Sequence, residues 1–379
     1  MLVQFLGIRG TVPTSEDSTV CFLVDGKFLF EVPSEFVLQF TRFCKNWQNL
    51  DPKEVEALNT KYGPPAFSKI EHVFLSHLHW DHWGGLRHLI HRAQLFEIGM
   101  RDKRRENPRK KEFAKPLNVY IPEGACRGHK RRLAQLIGMP QDMLPDDAEL
   151  LRLLLKMELG FEIDNFVTFH TVYENQPICI RNYEITAKKN KHKADGSLSY
   201  KIIKKKDKLN VVKAKELGVP FDSFLSRLQR AGELEFRGRI LRFEDIFDRK
   251  TITVGYSGDS PADNDMLEFY SDCEVLIHDT SYLTSQPETY HLDSHASLDA
   301  VLEIAGKLNN LKILIPVHFS YRYKLKELDE ALIQAANRIK THSLLFLRTF
   351  DSIEYGDGQT RLIRMKNHVA EGPDSEAEA

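Results

Sequence analysis

Six consecutive residues, His77-Leu78-His79-Trp80-Asp81-His82, place three imidazoles and one carboxylate directly after an apolar segment at residues 70–76. Such a segment is typical of a buried strand, and Gly84-Gly85 then lets the chain turn into a helix. In an extended segment, residues two apart point the same way, so His77 and His79 can reach one metal together. Asp81 and His82 follow the turn and can reach a second metal close by. A histidine-rich surface loop is the weaker alternative.

A dinuclear site needs further ligands, and three candidates lie elsewhere in the chain. Asp259 follows an apolar strand and a glycine, although an aspartate that caps a turn is the better interpretation of that residue alone. His318 follows the apolar run 311–317, where a buried core histidine is an equal alternative. His192 lies among lysines, where composition alone favours a solvated loop. Imidazole and carboxylate donors suit zinc by default, with manganese or iron(II) as alternatives.

Segments rich in β-formers alternate with helical segments, which predicts an α/β protein. The predicted strands are residues 1–6, 20–30 with a turn at Asp25-Gly26, 70–76, 117–121, several within 162–186, 251–257, 274–278 and 311–317. The predicted helices are one that begins with Ser34 as N-cap, one at 146–157 and one at 297–308. Residues 209–250 are polar and mixed, so we expect them to leave the core.

Charge is nearly balanced, with 53 basic and 54 acidic residues, so an RNA or membrane partner would have to bind a local patch. Residues 101–115 are mainly basic, and nine lysines lie within 188–208. The five scattered cysteines form no CxxC pair, which fits a reduced, cytoplasmic setting. We expect no signal peptide and no membrane span, because neither apolar pattern occurs.

Several motifs together resemble one known family. Residues 77–82 match the HxHxDH signature of the metallo-β-lactamase superfamily, and the rest of the chain looks like ribonuclease Z, the tRNA 3′-end endonuclease. The matching segments follow the family's order: Phe5-Leu6-Gly7, residues 118–124, His192 with Ser197-Leu198-Ser199-Tyr200, Lys213-Ala214-Lys215-Glu216-Leu217-Gly218-Val219-Pro220, Tyr256-Ser257-Gly258-Asp259, residues 276–280, His295 with Ser297, and His318-Phe319-Ser320 with Arg322-Tyr323.

The resemblance implies an αββα sandwich over residues 1–365, with a basic insertion at 93–116 and a projecting substrate-binding arm at 207–250, followed by a disordered acidic tail at 366–379. It implies two Zn²⁺ per subunit, one held by His77, His79, His192 and Asp259, the other by Asp81, His82, Asp259 and His318. Asp81 would also act as a base, His295 as the general acid, and Asp279 as the residue that orients His295.

The implied function is removal of the 3′ trailer from precursor tRNA by a cytoplasmic homodimer. A small-molecule or cyclic-nucleotide phosphodiesterase of the same fold is the alternative. Three departures from the family suggest a divergent member with a shifted substrate. Glu31 replaces a shorter aspartate that helps to order the site, Asp279 replaces a glutamate, and residues 220–224 lack the P-P-G-P element of the arm.

The remaining histidines and the tryptophans receive simpler interpretations. We expect His278 to be structural and His88 and His91 to belong to the helix after the glycines, while His170 and His291 have no supporting context. Trp80 and Trp83 flank the candidate ligands, and we expect them to pack around the site rather than to stack on bases. The 101–115 run fits a nucleic-acid contact or a mobile loop equally well.

Overall fold

The computed structural model describes residues 1–15, 17–106, 116–284, 294–339 and 342–365. Residues 93–106 of the predicted insertion continue a long helix, so that this part is not a loop. Residues 107–115 and the predicted tail at 366–379 lie outside the described residues. No helix in the described ranges combines the length and the apolar character needed to cross a bilayer.

Strands and helices alternate along the chain, as the sequence predicted. The strands are β1 Leu2–Gly7, β2 Cys21–Val24, β3 Phe28–Phe30, β4 His72–Phe74, β5 Leu117–Pro122, β6 Val167–Val172, β7 Ile178–Ile180, β8 Tyr183–Lys189, β9 Leu198–Leu209, β10 Glu233–Phe236, β11 Arg239–Arg242, β12 Phe247–Tyr256, β13 Val275–Asp279, β14 Ile313–Val317, β15 Ser343–Leu344, β16 Ser352–Gly356 and β17 Gln359–Ile363. The helices are α1 Phe36–Gln48, α2 Pro52–Tyr62, α3 Trp80–Trp83, α4 Leu86–Glu106, α5 Arg127–Ile137, α6 Asp147–Leu159, α7 Val211–Glu216, α8 Ser223–Ala231, α9 Phe243–Ile246, α10 Leu267–Tyr270, α11 Leu298–Gly306 and α12 Leu325–Arg338.

Two sheets pack face to face, in agreement with the expected sandwich. The first sheet has the order β17-β16-β1-β2-β3-β4-β5-β6, and the second has the order β15-β14-β13-β12-β9-β8-β7. Buried side chains from both sheets fill the space between them, for example Phe22 and Phe30 from the first sheet and Tyr256 from the second. Burial of this apolar surface is the main stabilising term of the sandwich.

Helices cover the outer face of each sheet. The apolar side chains of α1 recur at helical spacing and bury Phe36, Phe40, Phe43 and Trp47 against the first sheet, together with side chains of α4 and α6. Helices α10 and α11 cover the second sheet in the same way. This layering gives the helix–sheet–sheet–helix architecture that the sequence predicted.

Helix α1 corrects one detail of the sequence analysis. The N-cap of α1 is Glu35, whose side chain makes no capping hydrogen bond, and not Ser34 as predicted. The Ser34 hydroxyl instead donates to a Glu35 carboxylate oxygen at 3.1 Å. The Glu35 carboxylate does not cap α1, because it accepts a hydrogen bond from the backbone amide of Thr19. The tertiary contact therefore overrides the local capping preference of serine.

Residues 207–250 leave the sandwich on a two-stranded ribbon. The last pair between β9 and β8 is Lys204 with Tyr183, whereas β9 continues to pair with β12 as far as Leu209 and Phe247. Between these strands lie α7, α8, the β10–β11 hairpin and α9, which enclose a separate apolar cluster that includes Ala214, Leu228 and Ile246. A segment with its own core can keep its shape beyond the sheet edge.

Parallel strands bring several loops to one end of the sandwich. Strands β12, β13 and β14 are parallel neighbours, so their carboxyl ends lie at the same edge. Strand β4 of the first sheet is also parallel to its neighbours β3 and β5 and ends at the opposite wall of this crevice. Crevices outside the carboxyl ends of strands are the usual ligand sites of α/β sheets.

Candidate metal centre

The loop after β4 supplies four of the candidate ligands. His77 lies in the extended segment, and His79 is the N-cap residue of the short helix α3, which carries Asp81 and His82. His77 and His82 are fully buried, Asp81 is nearly so, and His79 is exposed. The loop thus directs three side chains inward and keeps one at the mouth of the crevice.

The other three candidates come from the far sheet. His192 lies between β8 and β9, Asp259 follows β12, and His318 follows β14. The distance from His192 Nε2 to His79 Nδ1 is 3.3 Å, and Asp259 Oδ1 lies 3.2 Å from both His82 Nε2 and His318 Nε2. Residues that are far apart in the sequence therefore meet across the crevice between the two sheets.

The seven side chains form two groups that share one carboxylate. Within each group, the candidate donor atoms all lie within 4.8 Å of one another. The first group is His77, His79, His192 and Asp259, and the second is Asp81, His82, Asp259 and His318. The structure thus brings together all seven residues that the sequence analysis selected, in the two sets that it expected.

Buried donor atoms without hydrogen-bond partners provide a test of whether a metal fits here. Within the described residues, His77 Nε2, His82 Nε2, His318 Nε2 and Asp259 Oδ1 are buried and lack such a partner. Leaving a buried polar atom unsatisfied costs about 1–3 kcal/mol, so four at one point need a common explanation. Divalent cations at the centre of the two groups would satisfy all four, and imidazole and carboxylate are ligands that such cations accept.

The pKa values of the site residues follow from burial and from mutual attraction. Burial lowers the pKa of His77, and the neighbouring His82 lowers it further. Burial also opposes charge on His82, but the carboxylates of Asp259 and Asp81 outweigh it and raise the pKa of His82. The same attraction, from His318 and His82, holds the pKa of Asp259 well below its usual range despite its burial. The Asp259 carboxylate therefore stays ionised at neutral pH.

The turn that presents Asp259 requires a glycine. Gly258 has φ of +59°, and a Cβ atom there would lie 2.8 Å from both the carbonyl oxygen of Leu198 and the Cβ of Ser76. No other residue can occupy this position without displacing the backbone of β9 or the side chain of Ser76, which directly precedes the 77–82 loop. Gly258 therefore fixes the close approach of the two loops that carry ligands.

Serine hydroxyls and a backbone carbonyl hold the second nitrogen of several histidines. Ser76 Oγ lies 3.0 Å from His77 Nδ1, Ser281 Oγ lies 2.8 Å from His318 Nδ1, and the Ser294 carbonyl oxygen lies 2.9 Å from His192 Nδ1. Such contacts orient a ligand imidazole towards the metal. The sequence analysis missed these serines, because serine is common and only its position beside a ligand could have indicated a role.

Glu31 lies directly behind His82. Its side chain is fully buried, accepts hydrogen bonds from the Ser76 amide and the Tyr256 hydroxyl, and lies 3.4 Å from His82 Nδ1. Its backbone has φ of +63°, which is uncommon for a residue with a side chain. Although a glutamate side chain is longer than that of an aspartate, the Glu31 carboxylate therefore lies where it can hold His82 and the start of the 77–82 loop in place.

His295 and Asp279 form a pair at the edge of the centre. His295 Nδ1 lies 2.8 Å from Asp279 Oδ2, and these residues form a third potential ligand group with Asp259 and His318. Burial opposes charge on His295, but Asp279 outweighs it and raises the pKa of His295 to about 9. Asp279 itself is fixed by the amides of Ser260 and Ser281. His295 is therefore oriented and protonated at neutral pH.

The remaining histidines lie outside the ligand groups. His278 is buried, and its Nδ1 lies 2.7 Å from the carbonyl oxygen of Asp279, as expected for a structural residue. His88 and His91 are exposed on α4. His170 lies 3.0 Å from the Asn118 amide oxygen. The expectation for His291 falls outside the described residues.

The two tryptophans differ in environment. Trp83 is half-buried and donates its indole N–H to the Leu78 carbonyl, which agrees with the packing role expected for it. Trp80 is 55% exposed, with the Arg87 guanidinium 5.5 Å from its ring centre. Packing therefore accounts for Trp83, whereas much of the Trp80 ring faces solvent.

Most lysines of the 188–208 run lie in ion pairs. Lys201, Lys204 and Lys205 contact Asp272, Asp25 and Glu184 respectively, each at less than 3 Å. Lysines far along β9 thus behave as ordinary surface residues, as the sequence analysis favoured for 204–208. Those that flank His192 necessarily lie beside the candidate metal centre.

Comparison with sequence families agrees with this geometry. The sequence model of the Metallo-beta-lactamase superfamily matches residues 68–164, which include the 77–82 loop. The chain is 28% identical over 305 residues to a ribonuclease Z of Picrophilus torridus, a match that covers 79% of this chain and 83% of that one. It is 25% identical over 362 residues to a ribonuclease Z of Thermococcus sibiricus, which covers 94% and 96% respectively.

Solved structures support the fold. The metallo-β-lactamase fold protein YhfI from Bacillus subtilis aligns with a TM-score of 0.53 and 15% identity, over 93% of this chain and 98% of that one. A long-form RNase Z from yeast aligns with a TM-score of 0.52 and 14% identity, over 93% of this chain and 41% of that one. At such low identity these structures show the fold alone.

The superfamily match, the two packed sheets and the ribonuclease Z relatives lead to the same assignment. The fold implies a divalent metal, and the His and Asp groups described above have the composition to hold one. The chain therefore has the metallo-β-lactamase fold and resembles the ribonucleases Z of that superfamily as a divergent relative, and it is a metal-dependent hydrolase of the nuclease class.

Proposed function

We propose that this protein is a zinc-dependent endoribonuclease that removes the 3′ trailer of tRNA precursors by hydrolysing one phosphodiester bond. The observation that carries the proposal is the pair of four-residue donor groups that share Asp259. Two cations that share a carboxylate ligand lie close enough to act on one phosphate. The ribonuclease Z relatives, which span most of this chain, support RNA as the substrate class.

The proposed ligands follow the two groups. One cation would be held by His77, His79, His192 and Asp259, and the other by Asp81, His82, Asp259 and His318. Three imidazoles with one carboxylate, and two of each, are both typical zinc sets, and Mn²⁺ or Fe²⁺ also accept them. When bound, the two cations supply Lewis acidity, which makes water more acidic and neutralises charge on the phosphoryl oxygens.

The residues of this chain contribute proton transfer. Asp81 lies 3.4 Å from His82 Nε2 and 3.6 Å from His318 Nε2, within the second group, where its carboxylate can take a proton from the attacking water. His295 is protonated at neutral pH and can donate to the departing oxygen. Asp279 holds His295 Nδ1, which leaves Nε2 free to face the substrate. These roles are those of general base, general acid and orienting residue.

The segment 207–250 is proposed to be a substrate-binding arm. It leaves the sandwich on the β9–β12 ribbon, has its own apolar cluster, and carries Lys213 and Lys215 on α7. A rigid segment with cations beyond the sheet edge could contact RNA away from the cleavage site through phosphates. We extend the proposal, on family resemblance alone, to a homodimer in which one arm serves the partner's site.

The proposed location is the cytoplasm. All five cysteines are free, including three that are buried: Cys21, Cys126 and Cys273. Free thiols throughout a chain are typical of a reducing compartment. This agrees with a role in RNA processing, which takes place where precursor tRNA is present.

A second candidate is hydrolysis of a small phosphodiester, such as a cyclic nucleotide. The observation that favours it is an element missing from the arm. Helix α8 begins at Ser223 directly after Pro220-Phe221-Asp222, so the P-P-G-P element expected for tRNA binding is absent from this segment. A metal centre acts on the phosphate and does not by itself select the size of the substrate. The two candidates therefore differ in substrate binding and not in chemistry.

The test compares two substrates with purified, zinc-loaded protein. A 3′-extended tRNA precursor and bis-p-nitrophenyl phosphate are incubated in parallel, and the RNA products are mapped at single-nucleotide resolution. Cleavage at the trailer junction supports the proposal. Hydrolysis of the small ester without processing of the precursor would refute the tRNA function and favour the second candidate.

Two histidine variants test the metal assignment in the same experiment. His79→Ala should abolish both activities and lower the zinc content, because His79 belongs to the first donor group. His88→Ala is the matched control, since His88 is an exposed histidine on the nearby helix α4. Circular dichroism should show the same fold for both variants. Full activity of His79→Ala would contradict the ligand assignment.

A further inference from the structure

A second cavity opens directly beside the candidate metal centre. It has a volume of about 320 Å³ and is lined by Leu78, His79, Ala125, Gly128, His129, Arg132, Lys193, Ala194 and Asp195. Two of its walls continue segments that carry candidate ligands, because His79 itself lines it and Lys193 follows His192. The volume is at the lower end of the range of small-ligand pockets, about 300–1,000 Å³.

One face of α5 forms the third wall. Gly128, His129 and Arg132 follow the spacing i, i+1 and i+4, which places them on one side of the helix, and Ala125 lies in the turn just before it. The small residues at 125 and 128 leave space, and the longer side chains of His129 and Arg132 border it. Arg131 lies between them in the sequence but does not line the cavity. The helix therefore presents a specific basic face to the metal centre.

The charges of the lining favour an anion. Arg132 and Lys193 are cations, and Asp195 is the acidic residue of the lining. Asp195 is already engaged, since one oxygen accepts from the Gly128 amide at 3.1 Å and the other lies 3.9 Å from Arg127 outside the cavity. Because that amide is occupied, the attraction for an anion comes from the side chains. The lining residues include no phenylalanine, tyrosine or tryptophan on which a base could stack.

We propose that this cavity binds a backbone phosphate of the RNA adjacent to the phosphate that is cleaved, with Arg132 and Lys193 as its ligands. The inference rests on the proposed function and assigns a subsite to it. His79 belongs both to the first donor group and to the lining of this cavity, so an RNA strand at the metal centre can continue directly into the cavity. Arginine binds phosphate through paired N–H donors, and such contacts set the position of a nucleic acid and not its sequence.

The test is the variant Arg132→Gln with Arg131→Gln as the matched control. Both residues are exposed on α5, so both variants should fold, but only Arg132 faces the cavity. With precursor RNA, Arg132→Gln should raise KM about tenfold with little change in kcat, equivalent to about 1.4 kcal/mol of lost binding. Arg131→Gln should remain within twofold of the wild type. Hydrolysis of bis-p-nitrophenyl phosphate, which has no second phosphate, should be unchanged in both variants.

Salt dependence distinguishes a phosphate contact from a general loss of charge. Loss of one contact to single-stranded RNA should make the slope of log KM against log salt shallower by about 0.7. Arg132→Lys should restore the salt slope but only part of the affinity, because the charge is kept although the paired donors are lost.

Each outcome bears on a different claim. Failure of the wild type to cut any RNA would refute the proposed function, whatever the variants do. If the wild type cuts the precursor and Arg132→Gln matches Arg131→Gln, the phosphate subsite is wrong while the function stands. Equal losses on RNA and on the small ester in Arg132→Gln would also overturn the subsite, since the effect would then lie in the metal centre.

Discussion

Glu31 offers the sharpest test of how the protein matrix tunes the metal centre. Its carboxylate lies 3.4 Å from His82 Nδ1 and accepts from the Ser76 amide at 3.2 Å and from the Tyr256 hydroxyl at 3.1 Å. It thereby fixes the candidate ligand His82 and the loop that carries it. We expect Glu31→Gln to keep the shape of this contact while removing the charge that strengthens it.

The expected loss has two parts. Removal of a partner that orients a metal-bound histidine lowers metal affinity about 10- to 100-fold, which corresponds to about 1.4–2.7 kcal/mol. The Ser76 amide lies 3.2 Å from both oxygens of Glu31, and a glutamine offers it only one oxygen. The loop should therefore also be destabilised. The cost is about 1–3 kcal/mol if the side-chain NH2 of the new glutamine faces the N–H donor of Ser76.

Competition with a chromophoric chelator measures the zinc affinity, and thermal unfolding of metal-depleted protein measures the loop contribution. Tyr256→Phe is the control, because it removes one donor to Glu31 but leaves the carboxylate opposite His82. Its zinc affinity should fall less than that of Glu31→Gln. A Glu31→Gln variant that binds zinc within twofold of the wild type would show that His82 needs no charged partner.

Three further substitutions test proton transfer and pH-dependent stability. His295→Asn should lower kcat on precursor RNA about 10²–10⁴-fold at unchanged zinc content, and should affect bis-p-nitrophenyl phosphate less, because its good leaving group needs little protonation. Asp25 is buried, which opposes its charge, but Lys204 and Tyr183 outweigh this and lower the pKa of Asp25. The stabilisation by Asp25 is thus present above pH about 3.9 and is lost as the pH falls through the lower folded pKa. Asp25→Asn should therefore lower the free energy of unfolding by about 3–5 kcal/mol at neutral pH. Urea unfolding should also show that the stability of the variant depends less on pH in acid. Burial raises the pKa of Asp351 to about 6, so its contribution is present below pH about 3.9 and is lost as the pH rises through 6. Asp351→Asn should therefore gain about 3 kcal/mol at pH 7 but little at pH 4, and a gain that is equal at both values would contradict this reasoning.

The local part of the metal centre could be derived from the residues themselves. His77 and His79 alternate along a strand, and Asp81 and His82 follow within one turn, so their proximity is a consequence of short-range geometry. His192 could not be found in this way, because it is separated from the loop by more than a hundred residues and by lysines that indicate a solvated loop. Its placement came from the order of the motifs, which family resemblance supplied.

The fold class was predictable from the alternation of segments, but several contacts were not. Strand β1 pairs with β16, whose residues lie about 350 positions later, and no local pattern encodes such a pairing. Helix α2 carries a clear start signal, with Asp51 as a capping side chain and Pro52 at the first position, which the sequence analysis did not use. The position of Glu31 behind His82 depends on a left-handed backbone that only the surrounding sandwich imposes.

Charge balance at the crevice supports two cations over one. Asp81, Asp259, Glu31 and Asp279 lie together, and none is more than 8% exposed. Buried carboxylates at this density are stable only if positive charge accompanies them. Protonated His295 accompanies Asp279, and the two proposed divalent cations would offset the other three carboxylates and leave the ligand histidines neutral, the form in which they bind metal. With a single cation, one of these three carboxylates would depend on a protonated ligand histidine, and a protonated histidine cannot bind a metal.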